Sequence, residues 1–145
     1  ICDLRKSALD SKTAVSTEAI VSAYTAPHLL DPAIHQRRYS MRAGQPSIGN
    51  EVGISGVAWT QNAQNVVVNF RGDDVMLFNV HSYNPGASEG GTEVDTSSVR
   101  QTYRGRVNVQ TCAKEIRLAH DDMHICTGGD CGYLYIWDLR TAKLR

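Results

Sequence analysis

Two five-residue stretches carry the side chains best suited to gripping another molecule. They are Ile1-Cys2-Asp3-Leu4-Arg5 and Ile136-Trp137-Asp138-Leu139-Arg140, which agree at four of five positions. An arginine presents a planar fork of donors that suits carboxylates and carbonyls. Each stretch sets an acid two places before an arginine: Asp3 with Arg5, and Asp138 with Arg140. Bond-making chemistry has no comparable signal: the chain holds no Gly-x-Ser-x-Gly, phosphate loop or His-Glu-x-x-His. Asp73-Asp74 and Asp121-Asp122 are adjacent acids among turn formers, and neighbours on a turn seldom converge on one substrate atom. They read as solvated turn acids, so no enzyme and no cofactor is expected. The four cysteines are Cys2, Cys112, Cys126 and Cys131. Cys126 and Cys131 are five apart and face no second pair, which argues for reduced thiols rather than a metal site. Reduced thiols fit an intracellular protein of the nucleus or cytoplasm.

The elements that position these residues repeat. Val57-Ala58-Trp59-Thr60 falls on Ile116-Arg117-Leu118-Ala119 at an offset of 59 residues. The same offset lays Val66-Val67-Val68 on Ile125-Cys126-Thr127, and Val75 to Val80 on Leu134 to Leu139, without a gap. Ile1 to Arg5 is the tail of a third copy. Each full copy reads as three short strands, rich in β-branched and aromatic residues and separated by turn formers. Arg71-Gly72-Asp73-Asp74 and Gly129-Asp130-Cys131-Gly132 are the second turns, with glycines free to take positive φ. An outer fourth strand fits Val99 to Tyr103, and Ala19 to Tyr24 for the copy before. Trp137, Phe78 and Cys2 occupy equivalent positions facing the core. Trp59, Phe78, Thr127, Asp130 and Trp137 are the expected structural residues.

The reading is thus all-β: a partial propeller of about two antiparallel four-stranded blades plus the end of a third, since propellers close with about four to eight. Residues 1–5 end one blade, 6–52 hold an outer strand and a long linker, and 54–80 form three strands of a second blade. Residues 81–111 form a loop and outer strand, and 112–140 form three strands of a third blade. The spacings, 59 from Asn79 to Asp138 and 76 from Asp3 to Asn79, exceed the usual blade repeat of about 40–45. The excess lies between copies. Ser82 to Ser98, rich in glycine, serine and acid, and Thr25 to Val52, with three prolines and three arginines, read as surface loops. The chain begins at Ile1 within a strand-like motif and reads as a fragment. Lysine plus arginine balances aspartate plus glutamate at 15 each. No global field favours nucleic acid, and no apolar run is long enough for a membrane helix.

The stretch Tyr103-Arg104-Gly105-Arg106-Val107-Asn108-Val109-Gln110-Thr111, then Lys114-Glu115, then Thr127-Gly128-Gly129-Asp130-Cys131-Gly132-Tyr133-Leu134-Tyr135-Ile136-Trp137-Asp138, resembles the WD40 repeat family. It is most similar to the factor 8 and factor 6 branch of the cullin-4-associated factors. Ile54 to Tyr83 resembles the preceding blade, and Pro27-His28-Leu29 a segment of its linker. Where that family has Gly-His, this chain has Gly105-Arg106. The family's usual bonding of histidine to serine or threonine, turn aspartate and tryptophan is broken there, and an Arg106–Asp130 ion pair is the expected substitute. The resemblance implies a non-catalytic substrate receptor. By that resemblance Asp3 and Arg5, and Asp138 and Arg140, are the candidate protein-binding residues: as Asp-x-Arg motifs they would dock on the damaged-DNA-binding adaptor of a cullin-4 RING ubiquitin ligase, which would be offered a substrate protein. The alternative is a WD40 scaffold of an unrelated complex in trafficking, chromatin or RNA processing.

Overall fold

The computed structural model describes residues 23–31, 33, 52–80, 94–111 and 114–145. Among these residues nine strands run in chain order: β1 (Ala23–Tyr24), β2 (Gly53–Trp59), β3 (Asn65–Arg71), β4 (Val75–Asn79), β5 (Val94–Asp95), β6 (Val99–Tyr103), β7 (Ile116–Ala119), β8 (His124–Gly128) and β9 (Leu134–Asp138). The described protein is built of β-sheets, and the two larger ones are antiparallel. One has the order β2-β3-β4-β6, the other β7-β8-β9. The third sheet is a parallel pair, β1 with β5. Ala23-Tyr24, read from sequence as the end of an outer strand, thus runs beside Val94-Asp95.

The offset of 59 is visible in the pairing itself. Val57 opposes Val68 and Trp59 opposes Val66; the matching pairs are Ile116 with Thr127 and Leu118 with Ile125. Val66 opposes Phe78 as Ile125 opposes Trp137. Such agreement follows from the hairpin turns, which keep the same length in both copies and so fix the same register.

β3 is apolar on both faces and feeds two cores. Val67 joins Val75, Leu77 and Tyr103 of its own sheet with Ile116, Ile125 and Trp137 of the other. Val66, Val68 and Phe70 join Met76 and Phe78 on the opposite face, where Ala26 packs and Tyr24 and Leu29 flank it. Thr25 to Leu30 is therefore not a solvated loop: Ala26 is buried against the sheet. The two sheets come close because Gly56 has no side chain. A Cβ there would stand 3.0 Å from the Ile116 nitrogen and 3.1 Å from the Lys114 oxygen.

Among the described residues the second sheet has three strands. Its edge is nonetheless begun: Leu144 bridges to Trp137, and the Arg145 N–H donates to the Ile136 oxygen at 2.9 Å. This tail stands where Val99 stands against Phe78 in the first sheet.

Candidate functional site

The end of β9 places Asp138, Leu139 and Arg140. The strand stops because Asp138 turns the chain. Its carboxylate accepts the Thr141 N–H and hydroxyl, both at 2.9 Å, and the Arg145 guanidinium at 3.0 Å. These bonds lower the Asp138 carboxyl to about 2: the Thr141 N–H first, then the Thr141 hydroxyl, then Arg145. The backbone fixes the same turn, through Ala142 N–H to the Asp138 oxygen and Leu139 N–H to the Met123 oxygen. Arg140 then projects into solvent. The two residues thus do different work: Asp138 holds the turn, and Arg140 is the side chain offered outward. Asp3 and Arg5, the other expected binding pair, lie outside the described residues, as do Cys2 and Cys112.

Below the rim, the conformation is locked by buried rings. Trp137 is 0 % exposed and its indole N–H donates to the Arg104 oxygen at 3.0 Å. Tyr135 stacks on it at 5.7 Å and Tyr103 tilts against it at 6.3 Å. The Tyr103 hydroxyl donates to the Leu139 oxygen at 2.6 Å, tying the first sheet to the turn that carries Arg140. Burial, and then the Asp138 charge, push the Tyr103 hydroxyl pKa well up, so the hydroxyl stays a donor. Tyr24 makes the same tie one unit earlier, donating to the Val80 oxygen at 3.1 Å. Phe78, equivalent to Trp137, is buried and tilts on Phe70.

The expected Arg106–Asp130 ion pair does not form. Asp130 instead binds Lys114 at 2.8 Å and caps the loop that crosses above it, accepting N–H groups of Val109, Gln110 and Thr111 and the Thr111 hydroxyl. Lys114 also bonds the Thr111 and Asn108 side chains. Burial works against the charge on Asp130, but Lys114, Thr111 and the loop N–H groups outweigh it and hold the carboxyl well below the usual carboxylate range. Arg106 is buried and turned across the sheet interface, donating to the Asn69 side chain at 2.6 Å and the Phe70 oxygen at 3.2 Å. Asn69 passes the contact on to the Lys114 oxygen and Thr127 hydroxyl, and Thr127 to the Glu115 oxygen. The physical reason is register: Asp130 stands one place beyond the position that faces Arg106 and points instead at the loop N–H groups.

Two further expectations are corrected. Trp59 does not belong to a core: it is 48 % exposed, because the face of β2 that it shares with Val57 and Ile54 carries no neighbouring sheet among the described residues. Asp73 and Asp74 are not solvated; both are buried. His28 Nε2 donates to Asp73 Oδ2 at 2.5 Å, and Asp73 Oδ1 accepts the Asp74 N–H. The Asp121-Asp122 turn is the more open one, with Asp122 accepting the Gln61 N–H at 2.5 Å and so joining the two first turns. Sequence reasoning assigned no role to His28. A signal was present: Tyr24 stands shortly before His28 as Tyr103 stands shortly before Arg106.

No family model matches the chain, and no curated protein matches it. Among the described residues no cluster of three or more histidines, cysteines or acids could hold a metal ion. No described helix is long and apolar enough to cross a membrane. Cys126 and Cys131 are free thiols. What the site offers is a turn fixed by the Asp138 and Tyr103 hydrogen bonds, with the Arg140 side chain exposed beside it.

Proposed function

We propose that the chain is part of a WD40 β-propeller that serves as a non-catalytic protein-interaction module, in a substrate receptor of a cullin-4 ubiquitin ligase. The observation that carries the docking role is the division of labour at the end of β9. Asp138 is spent on Thr141 and Arg145, the Tyr103 hydroxyl clamps Leu139, and Arg140 stands exposed between them. A guanidinium held on a rigid turn loses little further freedom on binding, which is why arginines so placed dominate many interfaces.

The propeller reading has its own support. The two antiparallel sheets share one offset, one packing direction and one tyrosine tie. The His28–Asp73 bond is the histidine to turn-aspartate pairing that WD40 blades use, and it occurs in the first sheet although the second replaces it with Arg106 and Asn69.

The test is affinity capture from cells expressing the full-length protein with Arg140→Ala, Arg5→Ala or both. The double variant should lose the damaged-DNA-binding adaptor and cullin-4 by tenfold or more while keeping its substrate-side partners. Undiminished capture of the adaptor rejects the docking role. Wild-type protein that captures a trafficking, chromatin or RNA-processing assembly and no cullin-4 establishes the scaffold alternative.

A further inference from the structure

The two copies differ where the first hairpin turn meets the end of the third strand. At the offset of 59, Gln64 and His81 of the first copy stand where the second has Met123 and Arg140. The first copy reads Asn79-Val80-His81 in place of Asp138-Leu139-Arg140. It lacks both the Asp-x-Arg stretch and the methionine, and the second copy carries both.

The same backbone bond joins the two segments in each copy. The Val80 N–H donates to the Gln64 oxygen at 3.0 Å, and the Leu139 N–H to the Met123 oxygen at 2.9 Å. Met123 is therefore bonded to the residue directly before Arg140. Its own N–H donates to the His120 oxygen at 3.0 Å and closes the turn. Asp121 and Asp122 take φ of 52° and 62° there, the positive values that a tight hairpin turn requires. Asp122 anchors this turn to the first sheet by accepting the Gln61 N–H. The backbone that carries Met123 and Arg140 is thus fixed before any partner arrives, which lowers the entropy lost on binding.

The fold does not use the Met123 side chain. It is 54 % exposed, whereas Met76 is 0 % exposed within a core. The exposure belongs to the position and not to the lack of a neighbouring sheet. Gln64 is exposed as well, although the second sheet packs beside the first and Asp122 reaches across to Gln61. A rim position that is polar in one copy holds a large apolar side chain in the other, next to an exposed guanidinium. Methionine has three rotatable bonds and a polarisable sulfur, so it fills irregular apolar hollows. Arginine supplies directed donors for a carboxylate.

We infer that Met123 is the apolar half of a contact whose polar half is Arg140. The surface they form fits a partner that offers a carboxylate beside an apolar hollow. The inference rests on the docking role proposed above for Arg140, so the partner is the ligase adaptor.

The experiment is a binding titration of the purified full-length protein against the damaged-DNA-binding adaptor. It compares wild type with Met123→Gln, Met123→Leu, Arg140→Ala and the double variant of Met123→Gln with Arg140→Ala. Met123→Gln installs the residue that the first copy carries at an exposed site, and thermal melts check that the variant is folded. It should raise the dissociation constant about tenfold, the loss expected at a residue central to an interface. Met123→Leu should stay within about threefold of wild type, since it keeps apolar character and volume. The double variant should lose less than the product of the two single losses, as neighbours in one contact do. An adaptor that does not bind wild type, or that binds Arg140→Ala as tightly, overturns the docking reading and this inference with it. Binding that falls with Arg140→Ala and ignores Met123→Gln overturns this inference alone. So does an equal loss from Met123→Leu and Met123→Gln, which shows that apolar character is not what the adaptor reads.

Discussion

Two tryptophans in one chain set the residue-scale argument, because the fold treats them oppositely. Trp137 is sealed between the sheets, stacked on Tyr135 and bonded through its indole. Its truncation removes a large buried surface and leaves a cavity, at a cost of about 3–5 kcal/mol. Trp59 is half in solvent, and its truncation in the dilute monomer should cost under about 1 kcal/mol. Chemical denaturation of Trp137→Ala and Trp59→Ala checks this, and equal losses would contradict the placement of both rings. Asp130 yields a pH-dependent prediction. Its carboxyl is held below its unfolded value of about 4, so its contribution is complete above that pH and falls away as pH drops toward the folded value. The stability difference between wild type and Asp130→Asn should thus be largest near pH 6 and shrink steadily below pH 4. Removing the carboxylate at pH 6 should cost on the order of 2–4 kcal/mol, since it takes the acceptor from three loop N–H groups and one partner from Lys114. A difference that is flat with pH would show that some other acid carries the loop.

At the scale of elements, the strands of the two copies were legible, because Val57 to Trp59, Val66 to Val68 and Val75 to Phe78 are short β-branched and apolar runs separated by turn formers and recur 59 residues on. What could not be read was which polar groups meet between elements. Asp130 was paired on paper with Arg106, but the partner is set by a loop path, Val107 to Thr111, whose N–H groups converge on the carboxylate. Asp73 was read as solvated because its partner, His28, lies 45 residues away across a long linker. Trp59 was named a structural residue, but how far its ring is covered depends on what stands beside β2, which its type alone does not give. Gly56 is an element-scale device that sequence spacing did not reveal. Gly56→Val should wedge β2 from the backbone of Lys114 to Ile116 and cost about 2–3 kcal/mol. Gly53→Ala, where an added Cβ meets nothing within 4 Å, should change stability by less than about 0.5 kcal/mol. Thermal melts of the pair separate a steric effect from a general intolerance of substitution in β2.

For the whole molecule the governing fact is that the two antiparallel sheets own one core. Val67, Leu77 and Tyr103 bury against Ile116, Ile125 and Trp137, while Gln61 to Asp122 joins the turns at one end and Arg106 to Asn69 joins strand to loop at the other. The apolar faces that the two sheets turn toward each other are covered only by that contact, so neither sheet should open alone. Central strands are the place to test this, since β3 lies between β2 and β4, and β8 between β7 and β9. Native-state hydrogen exchange should give the Val67 and Ile125 amides the same opening free energy, equal to that of global unfolding, as expected for one cooperative unit. Leu77→Ala in the first sheet, which removes part of the shared core at a cost of about 2–4 kcal/mol, should then lower protection at Ile125 in the second sheet as much as at Val67. If the Ile125 amide keeps its wild-type protection while Val67 loses its own, the sheets fold as separate units, and the core they share is a contact between neighbours rather than the bond that makes them one body.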